Sequence, residues 1–202
     1  MTEEEARAQV AEVAGEAMPT IERYAALLIE ENARQNLIAR STETTIWARH
    51  LLDSLQLASF ARDGDASWVD VGSGPGLPGL VLAALGRWRM TLVEPRRGRV
   101  EFLNQMVTHL SLKNVVVIGS AIKDVRERHD LVSARAVASA DQLFGWTRGC
   151  ADEATRFILP KGRSAQGDVD LAAQRWHGSF HVEHSITDAE AGIVIADRVR
   201  PR

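Results

Sequence analysis

The 202-residue chain has a single cysteine, Cys150, a single tyrosine, and no apolar run near the roughly 18 residues needed to cross a bilayer. One cysteine excludes an intramolecular disulfide and a cysteine-based zinc site, and it fits a reducing compartment. The opening residues, MTEEEARAQVAEVAGEAM, lack the basic start and apolar core of a secretory signal. The expectation is a cytoplasmic protein with no membrane partner. An excess of positive charge is missing too: 24 Lys and Arg stand against 27 Asp and Glu, a net charge of -3. That excludes a bulk nucleic-acid coat, whose affinity comes from neutralising many phosphates, while leaving room for a locally basic face. No repeat or low-complexity tract is present. His177, His181 and His184 lack acidic or cysteine partners at ligand spacing, so no metal is expected.

What is there reads as one structural domain, 45% hydrophobic and 25% charged. An N-terminal helical segment, 1–62, is expected to pack on a core formed by 63–202. Ile21, Tyr24, Ala25 and Leu28 keep helical spacing, and a second helix is expected from about Thr44 to Ala61, ended by the turn Asp63–Ser67. From Trp68 the texture changes. Strand-length apolar runs occur at Trp68–Val71, Met90–Val93, Val115–Ile118, Asp130–Ser133 and Phe157–Leu159, alternating with helical segments. This is the pattern of βαβ units in an α/β fold with a mostly parallel sheet. The tail segments FHVEHS and GIVIADRV suggest a C-terminal antiparallel hairpin.

The segment DVGSGPGLPG, Asp70–Gly79, places a glycine turn between a strand and a helix expected over Leu77–Leu85. Glycines permit positive φ and close approach of a ligand to the main chain, and a helix N-terminus offers free amides there. Gly74, Gly76 and Gly79 match the dinucleotide spacing G-x-G-x-x-G, but that register leaves Gly72 idle and puts Pro75 and Pro78 in a loop meant to wrap a pyrophosphate. Counted from Asp70 the pattern is acid-x-Gly-x-Gly-x-Gly, which resembles the turn of class I, Rossmann-like methyltransferases. In that family the acid lies near the cofactor's amino group, and Gly72, Ser73, Gly74 and Gly76 let S-adenosyl-L-methionine lie against the backbone. Glu94 follows Gly72 by 22 positions, ending the second strand, where a carboxylate can accept both ribose hydroxyls of an adenosine.

The likeness goes further. NLIA (Asn36–Ala39), RHLLDSL (Arg49–Leu55), DVGSGPGLPGL, LVEPRRGRVEFL (Leu92–Leu103), SARAVAS (Ser133–Ser139) and LPKG (Leu159–Gly162) together resemble the bacterial 16S ribosomal RNA guanine-N7 methyltransferases, also called the glucose-inhibited division protein B family. RHLLDS just ahead of DVGSGPGLPG is its most specific feature. The resemblance implies methyl transfer from S-adenosyl-L-methionine, leaving S-adenosyl-L-homocysteine, to N7 of a guanine in the 530 loop of 16S ribosomal RNA within the small subunit. It implies cofactor contacts at Gly72, Leu77, Ile122, Lys123 and Arg135. The chain departs from the family at Ala121–Lys123, where an Arg-x-Glu is usual, and at Gly98, where a lysine is usual; Arg99 is kept.

Guanine N7 carries a lone pair and no proton, so its methylation needs alignment rather than a general base. No catalytic base is therefore expected. Arg135 and Lys161 are the residues that would orient substrate or cofactor. His50, Asp53 and Ser54 share a helix face and read as a wall of the pocket rather than a hydrolase trio, since no nucleophile elbow presents the serine. Arg96, Arg97 and Arg99, with Arg87 and Arg89, are candidates for RNA phosphate contacts. A monomer is expected. The alternatives are a same-fold methyltransferase for a small molecule or protein, a dinucleotide oxidoreductase, and an adenosine-nucleotide sensor.

Overall fold

The computed structural model describes residues 1–202 except Asp63. The expected turn at Asp63–Ser67 and the 62/63 boundary thus begin partly outside the described residues; Gly64 and Asp65 are bent, and Ser67 already opens a strand. Seven strands form one sheet: β1 (Ser67–Val71), β2 (Arg89–Val93), β3 (Val115–Ile118), β4 (Leu131–Ser133), β5 (Arg156–Gly162), β6 (Trp176–His184) and β7 (Gly192–Pro201). Their order is β3-β2-β1-β4-β5-β7-β6. The first five are parallel, and β7 runs antiparallel to both β5 and β6. The Rossmann-like expectation and its C-terminal hairpin are met, and the order reverses beside β1, the position at which open α/β sheets bind ligands.

The seven α-helices of the described residues are α1 (Glu3–Ala14), α2 (Met18–Gln35), α3 (Asp53–Leu55), α4 (Gly79–Ala84), α5 (Arg97–His109), α6 (Ala140–Trp146) and α7 (Ala165–Ala172). Alternation along the strands sorts the core. Val69, Val71, Val93 and Val132 point toward α6 and α7, where Phe144 meets Phe157 edge-on at 4.8 Å. Trp68, Met90, Leu131 and Ile158 fill the opposite face, and Leu92 there joins the core built by α1, α2 and α5. The N-terminal helices thus share their apolar core with the sheet, and Tyr24 on α2 donates its hydroxyl to the Pro75 carbonyl in the glycine turn (2.8 Å).

Three local expectations are corrected. The helix expected from Thr44 to Ala61 is instead a 3-10 turn (Arg40–Thr45), a π-helical turn (Trp47–Leu52), the short α3 and another 3-10 turn (Gln56–Phe60). Side chains take the carbonyls a regular helix would use: the Ser54 hydroxyl donates to His50 O (2.6 Å) and Arg135 to Arg49 O (2.9 Å). The helix after β1 begins at Gly79 rather than Leu77, because the turn before it closes on itself through Gly76 N and Leu77 N to Ser73 O. Between β3 and β4 there is no α-helix, only the 3-10 turn Ile122–Asp124.

Gly79 lets α4 lie directly on the sheet. A Cβ there would fall within the Leu92 side chain and 2.8 Å from Asp70 Oδ2. Gly79→Ala should therefore cost about 1–3 kcal/mol of folding stability, the usual penalty of overpacking. A urea midpoint equal to that of the parent chain would contradict this packing.

Candidate active site

At the carboxyl ends of β1, β2 and β4 lies a cleft of about 780 Å³, within the size range of small-molecule sites. Its floor is the glycine turn. Gly72 and Gly74 have φ of +65° and +53°, and a Cβ on Gly72 would come 2.7 Å from Val137. The turn is anchored from behind by Asp70, which is fully buried. Asp70 Oδ1 accepts from the Ser133 hydroxyl (2.7 Å), itself the acceptor of Trp68 Nε1 (3.0 Å), and Oδ2 accepts from Gly79 N (3.2 Å). Burial pushes the Asp70 carboxyl up to about 6, against the hydrogen bonds that favour its ionised form.

Asp70 does not line the cleft, nor does Gly76, whose missing Cβ makes room for Leu80. Both were expected to touch a cofactor, and both instead shape the turn from within: Asp70 points to the α4 face of β1, in register with Ser133 on β4. Ser73 does line the cleft, with its hydroxyl spent on Asp70 O (2.8 Å).

The free amides expected at the helix N-terminus are not there. Gly72 N and Ser73 N donate to Val93 O, Gly74 N to Glu94 Oε2, Gly76 N and Leu77 N to Ser73 O, Gly79 N to Asp70 and Leu80 N to Gly76 O. With Pro75 and Pro78 having no amide, every N–H from Gly72 to Leu80 is occupied. The carbonyls of Gly72 and Gly74 accept no hydrogen bond among the described residues. A turn whose donors are spent and whose acceptors are unspent offers little to a pyrophosphate and more to a cationic group.

Glu94 closes the β2 side. Its carboxylate accepts from Gly74 N (3.0 Å), Arg96 N (3.0 Å), Arg96 Nε (2.9 Å) and Arg96 Nη2 (3.3 Å). Burial raises its pKa, but these hydrogen bonds outweigh it and hold the carboxyl below its ordinary value. Arg96 thus lines the cleft while its side chain stays largely exposed. Arg99 is also committed inward, donating to Asn36 O (3.0 Å) and Gln35 O (3.4 Å) at the end of α2, while Arg97 is exposed and pairs with Glu101 (2.9 Å). Ile122 and Lys123 line the β3 side, as does Leu77 at the turn.

Arg135, after β4, stands between this cleft and a second cavity of about 610 Å³; Arg135, Ala136 and Val137 line both. Its Nη2 donates to His50 Nδ1 (3.1 Å), and its Nη1 lies 3.4 Å from Asp53 Oδ2. Since arginine can only donate, His50 Nδ1 is an acceptor and the ring proton sits on Nε2, which donates to Thr42 Oγ1 (2.7 Å); Thr42 in turn donates to Ala39 O (2.7 Å). His50 lines the cleft and Asp53 the second cavity, but Ser54 is fully buried and lines neither, because its hydroxyl is bonded to the His50 carbonyl. Lys161 lines the second cavity, donating to Ala138 O and pairing with Asp168 at 3.0 Å.

Sequence reasoning missed Leu37, Ile38, Pro95 and Trp146 as cleft residues. Leu37 and Ile38 lie within the recognised NLIA; Trp146, at the end of α6, carries no motif at all. The wall at Ile38 is held by Asn32, fully buried on α2, whose Oδ1 accepts from Ile38 N (2.8 Å) and whose Nδ2 donates to Glu43 (2.5 Å). Among the described residues, no group of three His, Cys, Asp or Glu side chains could hold a metal ion, and no helix is long and apolar enough to cross a membrane.

The family model for GidB, rRNA small subunit methyltransferase G, matches residues 17–194. A ribosomal RNA small subunit methyltransferase G of Sphingopyxis alaskensis is 47% identical over 185 residues, covering 90% of this chain and 79% of that protein. The same-named protein of Rhizorhabdus wittichii is 42% identical, covering 100% and 95%. Among solved structures, a SAM dependent methyltransferase from Aquifex aeolicus superposes with a TM-score of 0.60 at 13% identity, over 75% of this chain and 92% of that one. A ribosomal protein L11 methylase from Lactobacillus delbrueckii gives 0.58 at 14%, over 73% and 77%. These two likenesses concern the fold.

The Arg135–His50–Thr42 chain makes a prediction about protonation. Burial, and then the nearby Arg135 and Arg49 charges, push the His50 imidazole down to about 4. The folded value lies below the unfolded one, near 6.5, so the stability held by neutral His50 is present above that value and is lost as pH falls from it through 4. An NMR titration of His50 should show the Nε2–H tautomer and a midpoint near 4; a midpoint near 6.5 would refute the assignment. His50→Gln should flatten the stability slope across that same window.

Proposed function

Because the chain belongs to the rRNA small subunit methyltransferase G family, we propose that it transfers a methyl group from S-adenosyl-L-methionine to N7 of a guanine in the 530 loop of 16S ribosomal RNA. The reading includes a monomer acting in the cytoplasm on RNA within the small subunit. The observation that carries the cofactor assignment is the state of the glycine turn. Its amides are consumed internally, whereas the Gly72 and Gly74 carbonyls are unspent, which suits an ammonium and sulfonium ligand and disfavours a dinucleotide pyrophosphate.

The residues present fit that cofactor. Gly72 gives the backbone surface against which it rests, since a side chain there would fill the space toward Val137. Glu94 stands where ribose hydroxyls can be accepted. Its four donors already fill a carboxylate's roughly four lone-pair sites, so those hydroxyls displace the exposed Arg96 side chain. Ile122, Lys123 and Trp146 bound the adenine side, and Leu37 and Ile38 cover the cleft from the N-terminal segment.

When bound, S-adenosyl-L-methionine supplies a sulfonium methyl whose carbon bonds to the N7 lone pair as the S–C bond breaks and its electron pair stays on sulfur. No proton moves, so the protein need hold no base. Arg135 stands at the wall between the two cavities, and neutral His50 with Asp53 holds its guanidinium in place. The part of the protein is alignment and exclusion of water, which can lower a barrier by roughly 7 kcal/mol or more.

In a thermal shift experiment S-adenosyl-L-homocysteine should raise the melting temperature and NAD should not. Gly72→Val, which meets both the left-handed backbone and Val137, should abolish that shift. Labelled methyl should enter small-subunit RNA, and not tRNA, from cells lacking the enzyme, with chain cleavage at N7-methylguanine locating the product. Stabilisation by NAD alone would overturn the cofactor assignment, and absence of label from ribosomal RNA would overturn the acceptor.

A further inference from the structure

The charged groups of the second cavity are arranged unequally. Three carboxylates line it: Asp53, Asp168 and Asp188. Asp53 is committed, with Oδ1 accepting from Gln56 Nε2 (2.9 Å) and Thr187 Oγ1 (3.0 Å) and Oδ2 facing Arg135. Asp188 lies at the rim, accepting from Glu190 N (3.1 Å) and Arg49 Nη1 (3.4 Å). Asp168 is different. Its Oδ2 takes both the Lys161 ammonium (3.0 Å) and Ala140 N (3.2 Å), whereas its Oδ1 has no donor among the described residues. The pair is mostly buried, with side-chain exposures of 9% for Lys161 and 14% for Asp168. Lys161 also donates to Ala138 O, beside the shared wall. One carboxylate oxygen is therefore immobilised by two donors, and the other is left available in a polar cavity that shares Arg135, Ala136 and Val137 with the cleft.

We propose that this cavity seats the everted acceptor guanine, and that Asp168 Oδ1 accepts the N1–H and the exocyclic N2–H of its Watson–Crick edge. The assignment rests on the guanine-N7 reading above and adds to it the residue that specifies the base. Geometry of the base supports it. N7 lies on the Hoogsteen edge, away from N1 and N2, so a guanine with N7 at the Arg135–Val137 wall directs N1 and N2 toward Lys161 and Asp168, which line the second cavity and not the cleft. Bases that undergo chemistry are taken out of the stack and read on this edge. Adenine would bring the bare N1 lone pair against the carboxylate, a repulsion that rejects it.

Charge favours the same placement. Methylation of N7 leaves a positive charge on the purine, and a carboxylate on N1–H opposes that charge more strongly in the transition state than in the bound substrate. Lys161 acts as a positioning residue: it fixes one oxygen of Asp168 and so aims the other.

The test compares small-subunit RNA carrying guanine or inosine at the methylated position, inosine lacking only the N2 amino group. The parent protein should prefer guanine in kcat/KM by roughly 10- to 100-fold, the worth of one hydrogen bond to a charged group. In Asp168→Asn and Asp168→Ala that preference should fall toward unity, while affinity for S-adenosyl-L-homocysteine stays within about 2-fold of the parent. Asp168→Asn retains the acceptor for Ala140 N and so reports on recognition even where the alanine variant folds poorly. A guanine-over-inosine preference that survives in the asparagine variant would overturn the proposal, as would its absence from the parent protein. A matching loss of S-adenosyl-L-homocysteine affinity would move Asp168 to the cofactor side and overturn it equally. If the parent protein leaves ribosomal RNA unlabelled, the acceptor reading itself fails; if it methylates guanine N7 with no dependence of base preference on Asp168, only this assignment fails.

Discussion

A carboxylate sealed inside the sheet holds the parts of this site in register. Asp70 receives the Ser133 hydroxyl from β4 and the first amide of α4, and Ser133 is itself braced by Trp68. Three elements thus meet on one buried acid, at the cost of a carboxyl whose pKa is lifted to about 6 by burial. Removing any donor would leave a buried charge less compensated, which is expensive. Because Asp70 captures Gly79 N, the glycine turn must close upon itself. Its remaining amides then turn to Val93, Ser73 and Glu94. The binding surface that results is made of backbone shape and unspent carbonyls rather than exposed donors.

The second dependence runs from the N-terminal helices. Tyr24 reaches the turn at Pro75, Asn32 fixes Ile38, and Thr42 orients His50, which in turn holds Arg135. These helices are therefore a wall of the cleft and a brace for the arginine at the boundary of the two cavities. The neutral state of His50 matters here. A protonated imidazole would set a positive charge against Arg135 at hydrogen-bond distance and free the guanidinium from its position.

Much of this could be read from the residue pattern. Alternating apolar runs separated by helical segments suffice to identify a parallel sheet, because a strand buried on both faces has few alternatives. Gly72, Gly74, Glu94, Ile122, Lys123 and Arg135 were all expected at the cofactor and all line the cleft. The errors share one cause. Asp70, Gly76 and Ser54 were expected to face a ligand or the pocket, yet each is turned inward by a partner distant in sequence or by a backbone carbonyl. Arg96 and Arg99 were grouped with Arg97 as RNA-contact candidates, and the intramolecular partners of the first two, Glu94 and the end of α2, were equally invisible in the sequence. Residue type and spacing cannot show which neighbour a polar group will meet.

The sequence by itself determined the fold class, the place of the glycine turn at the end of the first strand, and the family to which these motifs belong. Those properties follow from periodicity, from the conformational freedom of glycine and from contiguous motifs, all of which are local along the chain. Only the tertiary structure decided that the turn's amides are spent, that Arg135 divides two cavities, and that Asp168 keeps one oxygen unused. Each of those depends on contacts between residues far apart in sequence, where the strand order and packing of the helices determine which donor reaches which acceptor.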